Sequence, residues 1–276
     1  MSQRKKFQDL LRQLDEIKSI LNAMKNLSFL ETRKLEERLI NQKTMVTDLE
    51  EMANDFLGFY PQYNLNDKVN NDIWILFGSE RSLCGDFNDS LLAQLPVFLD
   101  QSSNEKSLVP VGQKLYQLLQ DDKRIIQYFN GADVAEEIPA VLADIVKYLE
   151  SHQGGWISFN IYALFHQADT NQITSTRLIP PFRDRTVINP ASYSHPPLLY
   201  LRPEEFFTSM VDYYLLIALH EIAYMSLMAE NQQRIQHTEG AIQHLEEKID
   251  DLTGKYHILR QEEITEEIEI ILLNAC

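Results

Sequence analysis

Residues 235–259 read IQHTEGAIQHLEEKIDDLTGKYHIL, and the spacing of their apolar positions decides the fold. Ile235, Thr238, Ile242, Leu245, Ile249, Leu252, Tyr256 and Leu259 advance by alternate steps of three and four. That is the heptad that keeps one seam of a helix turned toward a partner helix. The run reaches back to Pro203, where Glu204 and Glu205 suit a first turn, and no proline interrupts it as far as Cys276. The opposite end of the chain shows the same kind of pattern. Phe7, Leu10, Leu14, Ile17, Leu21 and Met24 step by three and four, then a phase shift near Leu27 leads into a looser stripe of Leu35, Leu39, Val46, Leu49, Met52 and Phe56. This second run stops near Gly58 and Pro61.

At 1.5 Å per residue these helices reach roughly 80 and 105 Å, longer than a single globule needs. Water penalises an apolar stripe on each, and the two ends of one chain are each other's nearest cover. The reading is therefore an antiparallel coiled coil of residues 1–57 with 204–276. Met24, Leu21, Ile20 and Leu27 are the region expected to pack against Ile242, Leu245, Ile249 and Leu252. The second helix carries about fifteen acids to four bases, against about ten of each in the first, which reads as a solvated acidic face.

Between the helices the period changes. Asp72–Gly78, Ser107–Val111, Arg124–Phe129, Trp156–Phe165 and Ile173–Ile179 are rich in β-formers. Helical patterns lie between them at about 86–99, 112–120 and 134–151, so residues 70–185 read as an α/β layer domain. The last two strands are expected to pair as a hairpin through Ala168–Gln172, and the segment from Pro190 to Pro203 to link back to the long helix.

Composition excludes several functions. A net charge of −16 argues against binding a phosphate backbone, so nucleic acid is not an expected partner. Cys84 and Cys276 are too few for a disulfide framework or a cysteine zinc site. No signal peptide is visible after Met1, and no apolar run approaches 18 residues, so direct membrane insertion is not expected. Neither GxGxxG nor GxxxxGK[ST] occurs, and no cofactor is expected. His220 and Glu221 begin like HExxH, but Tyr224 stands where the second imidazole would be, so no metal is expected. Residues 78–88, GSERSLCGDFN, follow the first strand. Cys84 there could be a thiolate at a helix start, but the segment reads more simply as a tight turn needing small residues.

Three patches resemble the gamma subunit of F-type ATP synthases. Residues 20–25, ILNAMK, look like the family's I-T-K-A-M-K, and residues 78–88 look like S-D-R-G-L-C-G-x-F-N. Ile249-Asp250-Asp251-Leu252-Thr253 looks like I-D-D-L-T, and Arg260, Gln261, Ile264, Thr265, Glu267 and Ile268 fall where the family has R-Q-x-x-I-T-x-E-I. Order, spacing and terminal placement agree over the whole chain. The chain departs from the pattern at Asn26–Leu35, which is bulkier and less basic, at Ala229-Glu230, at Ala241–Leu245 and at the ending Leu273–Cys276. Met24, Lys25, Leu27, Glu31, Thr32, Arg33, Lys34 and Leu35 together with residues 78–81 and 84–88 resemble the alternative bacterial type often called N-ATPases.

The resemblance implies a central Rossmann-like α/β domain beneath a coiled-coil stem. It implies a rotor shaft, with no catalytic residue of its own, that couples ion flow at the membrane c ring to ATP synthesis or hydrolysis in the alpha/beta ring. Implied partners are the alpha and beta subunits, epsilon and the c ring. The implied location is peripheral, at the cytoplasmic face of the bacterial inner membrane. Met24, Lys25, Arg260, Gln261 and Glu267 are the implied contacts with the alpha/beta ring. Heptads alone would also fit a coiled-coil adaptor outside any rotary complex, but pairing does not require Arg260, Gln261 or Thr265.

Overall fold

The computed structural model describes residues 3–63, 71–100, 102–151, 159–170, 172–182 and 195–274. Two very long helices, α1 (Gln3–Phe59) and α5 (Pro203–Asn274), enclose in sequence β1 (Asn71–Phe77), α2 (Phe87–Leu99), β2 (Glu105–Val111), α3 (Gln113–Leu119), α4 (Ile138–Glu150), β3 (Asn160–Gln167) and β4 (Gln172–Ile179). The chain divides into two compact units whose boundary falls inside both long helices: Met1–Phe29 with Arg234–Cys276, and Leu30–Gln233. The expected strand start at 156–158, the first five residues of the linker (190–194) and the terminal Cys276 lie outside the described residues.

The first unit is a pair of antiparallel helices. Arg4 Nη1 meets Glu263 Oε2 at 3.0 Å, Lys18 Nζ meets Glu246 Oε1 at 2.8 Å and Lys25 Nζ meets Glu239 Oε1 at 3.5 Å. Advance along α1 is thus matched by retreat along α5. On α5 the heptad positions Thr238, Ile242 and Leu252 are buried, and Ile235, Leu245, Ile249, Tyr256 and Leu259 are half-buried. By this register Leu14 falls opposite Ile249 and Leu252, and Leu21 opposite Ile242 and Leu245. Thr238 is tolerated in the seam because its hydroxyl donates to the Arg234 carbonyl one turn back, at 2.6 Å.

The seam of α1 differs from the apolar stripe expected there. Covered positions are Phe7, Leu11, Leu14, Lys18, Leu21, Lys25 and Ser28, and beyond this unit Thr32, Leu35 and Leu39 keep the same steps. There is no phase shift near Leu27. Lys18 and Lys25 occupy seam positions by laying their methylene stems along it while their ammonium groups reach acids on α5. Leu10, Ile17, Ile20 and Leu27 stand off the seam, the last two 60% and 66% exposed, and Met52 is exposed as well.

The second unit is built on a four-stranded sheet of order β2-β1-β3-β4, parallel between β2, β1 and β3 and antiparallel at the β3–β4 hairpin. Strand β1 is buried on both faces, as a central parallel strand should be. Its odd residues Ile73, Ile75 and Phe77 join a core with Leu35, Leu39, Ala53 and Phe56 of α1, with α4, and with Val211, Leu215 and Leu219 of α5. Its even residues Trp74 and Leu76 pack against Leu91 and Leu95 of α2 and Leu115 of α3. The parts of both long helices within this unit therefore belong to the α/β core.

The expected strand at Arg124–Phe129 is absent. Its backbone runs beside β2 but touches it only through single bridges, Leu108 with Ile125 and Val111 with Phe129. Leu108 N–H donates to the Arg124 carbonyl and Gly112 N–H to that of Phe129. Between them the outward donor belongs to Pro110, which has no N–H, so the ladder breaks.

Candidate functional site

Residues singled out for partner contact fall at two separate levels of the helix pair. Lys25 is tied to Glu239 and Met24 is half-buried beside it. Arg260, Gln261 and Glu267 are exposed. The register sets Arg260 near the beginning of α1, about 18 residues from Met24, a separation of about 27 Å along the axis. The structure therefore does not gather the five into one site. Past Glu263 the helix α5 continues beyond the start of α1 with Ile264, Ile268, Ile270, Ile271, Leu272 and Leu273 exposed. Arg4, Lys5 and Gln8 face Glu263, Glu266 and Glu267 across an open cleft at this level.

The turn after β1 is a rigid structural element. Asn88 binds it from both sides, its Oδ1 accepting the Ser79 N–H at 3.0 Å and its Nδ2 donating to Ser79 Oγ at 2.8 Å. Cys84 is buried with its thiol 3.3 Å from Ser79 Oγ. Leu83 and Gly85 both take the left-handed conformation, at φ 69° and 60°. Glu80, which the sequence analysis assigned no contact, accepts the N–H groups of Gln113 and Gly131 at 2.8 and 2.7 Å, so one carboxylate ties three segments together. This geometry supports the tight-turn reading of the motif over a reactive thiolate.

Behind the turn, His166 of β3 stacks on Phe87 with ring centroids 4.0 Å apart, its Nε2 2.8 Å from the Phe87 carbonyl. A carbonyl only accepts, so Nε2 carries the proton. Burial holds the imidazole's pKa below its ordinary value. Protonation is thus easier in the unfolded chain, and the neutral ring's contribution is present above about pH 6.5 and lost as pH falls below it. Wild-type stability is expected to drop on acidification from pH 6.5 by up to about 1.4 kcal/mol per pH unit, and less in His166→Gln. Urea titrations at pH 7.0, 6.0 and 5.5 measure this, and identical pH profiles for the two chains would contradict it.

In the HExxH-like segment the side chains have contacts of their own. His220 Nδ1 lies 2.8 Å from the Leu216 carbonyl, and Tyr224 is buried under the Arg38 guanidinium. Among the described residues no three His, Cys, Asp or Glu side chains are placed to hold a metal ion, and no helix is long and apolar enough to cross a membrane.

Comparison with known proteins covers the whole molecule. A family model described as ATP synthase matches residues 3–272. The ATP synthase gamma chain of Clostridium botulinum strain Langeland is 22% identical over 272 residues, covering 96% of this chain and 94% of that one. The gamma chain of Fusobacterium nucleatum is 22% identical over 222 residues, 78% of this chain and 76% of that one. Among solved structures, a chain of the Euglena gracilis mitochondrial ATP synthase (OSCP, F1 and c ring) superposes with a TM-score of 0.60 at 14% identity, covering 98% of this chain and 92% of that one. A chain from the central stalk and c ring of the Tetrahymena thermophila enzyme gives 0.58 at 15% identity, covering 80% and 99%.

Proposed function

This chain belongs to the ATP synthase family through its gamma chains, and we propose on that premise that it is the central rotor shaft of an F-type ATP synthase or ATPase. In this reading the helix pair stands within the ring of alpha and beta subunits, and the α/β unit serves the c ring and epsilon. The shaft itself is not catalytic: it biases the catalytic sites toward different states by presenting different contacts to each. It is peripheral, at the cytoplasmic face of a bacterial inner membrane. The bulky patch Asn26–Leu35 supports placing it with the alternative bacterial type.

The observation that carries the proposal is the antiparallel pair of terminal helices in fixed register, with Arg260 and Gln261 exposed on α5 near its pairing with Arg4. A plain adaptor has no use for Arg260 and Gln261 exposed at that level. Co-expression with the alpha, beta and epsilon subunits encoded in the same genome tests it. The reading expects one stable complex that hydrolyses ATP, and purification of the chain without alpha and beta would contradict it.

Arg260 offers a planar donor fork suited to carboxylates and carbonyls. Arginine is enriched among the few interface residues whose truncation costs about 1–2 kcal/mol or more. Arg260→Ala is expected to lower ATP turnover of the assembled complex by about five- to thirtyfold while leaving the helicity of the chain unchanged, because the side chain is exposed. Unaltered turnover would remove this position from the contact set.

A further inference from the structure

Helix α1 carries Glu31, Lys34 and Arg38 at steps of three and four, so they share a face beside the one that sends Leu35 and Leu39 into the core. That face meets the segment 130–137 leading into α4. Glu31 is buried, and its Oε1 accepts the N–H of Ala135, itself fully buried, at 2.6 Å. The second oxygen of Glu31 lies 3.4 Å from Lys34 Nζ. Lys34 also approaches Glu136 Oε1 at 3.7 Å, and Arg38 Nη2 reaches the same oxygen at 2.9 Å. The Arg38 guanidinium then lies over the Tyr224 ring of α5, 6.0 Å from its centroid. From the other side, Glu80 holds Gly131 N–H and Arg81 pairs with Asp133 at 2.5 Å.

Exposed ion pairs such as those of Lys34 and Arg38 contribute little by themselves. The Glu31–Ala135 bond is different, because its donor is an N–H from which water is excluded, and leaving that donor without an acceptor is costly. Direction also matters. Apolar packing holds α1 against the sheet but is non-directional, so it sets the rotation of the helix about its axis only as closely as the burial of Leu35 and Leu39 requires. A hydrogen bond with a short, fixed geometry sets that rotation.

We infer that Glu31 is a positioning residue for rotary coupling, clamping the segment 130–137 to α1 so that helix and sheet turn together under load. The inference rests on the rotor reading. Lys34, Arg38 and Glu136 close the clamp around it, and Tyr224 extends it to α5.

The test compares wild type, Glu31→Ala, Glu31→Gln and Glu31→Asp. Hydrogen exchange of the isolated chain reports the clamp, and ions pumped per ATP hydrolysed, in vesicles bearing the assembled complex, report coupling. In Glu31→Ala, exchange at 131–137 is expected to speed up about tenfold or more, and the pumping ratio to fall while hydrolysis persists. Glu31→Gln keeps an oxygen that can accept the Ala135 N–H and should restore both. Glu31→Asp keeps the charge but is too short, and should behave like Glu31→Ala, so it carries the test if the alanine variant does not assemble. Unchanged exchange in Glu31→Ala or Glu31→Asp, faster exchange with an unchanged pumping ratio, or failure of Glu31→Gln to rescue would each overturn the inference. A wild-type chain that assembles into no pumping complex overturns the rotor reading and the coupling role with it.

Discussion

Ile242→Ala is expected to destabilise the helix pair of the first unit by about 2–3 kcal/mol, the lower half of the range for a buried isoleucine because a two-stranded seam is open at its edges. Ile242 is 7% exposed in a position the register sets against Leu21. Loss of three carbons there leaves a gap that neighbouring backbones in a straight helix pair cannot close. Leu252→Ala should cost nearly as much, and Leu245→Ala less, because Leu245 is only half-buried. Glu247→Ala, on the exposed face, should change stability by no more than about 0.5 kcal/mol. Limited proteolysis within 235–259, followed with temperature, reads these effects. A seam variant as resistant as wild type would show that the pair is not held by this seam. In the assembled complex the same loosening should weaken coupling without unfolding the α/β unit.

Gly78→Ala should be as damaging to the second unit. A Cβ at Gly78 would lie 2.4 Å from Leu115 Cβ, 2.7 Å from Leu115 Cδ2 and 2.8 Å from Asn88 Oδ1. The first distance is decisive, since a Cβ cannot move by rotamer change. Either α3 shifts away from the end of β1, or Asn88 loses its hold on Ser79. Overpacking of this kind costs about 1–3 kcal/mol and sometimes more, and the closeness of a main-chain-fixed atom puts this case at the upper end. Leu115→Ala retains the clashing Cβ and should not rescue Gly78→Ala. Thermal unfolding followed in the near ultraviolet, where Trp74 and the aromatic core report, gives the comparison. A Gly78→Ala chain with wild-type stability would contradict the packing described here.

The heptad from Ile235 to Leu259 was legible because its seam is nearly all apolar. The first helix was harder to read, because Lys18, Lys25, Ser28 and Thr32 occupy its covered positions while Leu10, Ile17, Ile20 and Leu27 are exposed. Counting apolar residues follows the wrong stripe when methylene stems do the covering. The segment Arg124–Phe129 has the composition of a strand, but the missing donor is on Pro110 of its neighbour, so local sequence could not reveal it. Of the functional positions, Arg260 and Gln261 could be proposed because they are not needed for pairing. Glu31 and Glu80 stand inside patches that carry the resemblance, but their roles could not be read there, because a carboxylate that accepts a backbone N–H looks in sequence like any charged surface residue. The partner of each is a backbone amide with no sequence signature, Ala135 for Glu31 and Gly131 for Glu80.

The most direct measurement of the central claim is rotation. Val97 is exposed on α2, and a bead attached through Val97→Cys in a Cys276→Ser chain leaves the buried Cys84 untouched. With the complex immobilised through its catalytic ring, addition of ATP and magnesium should drive sustained one-way rotation of the bead. ATP hydrolysis at an undiminished rate with the bead stationary would contradict the shaft account.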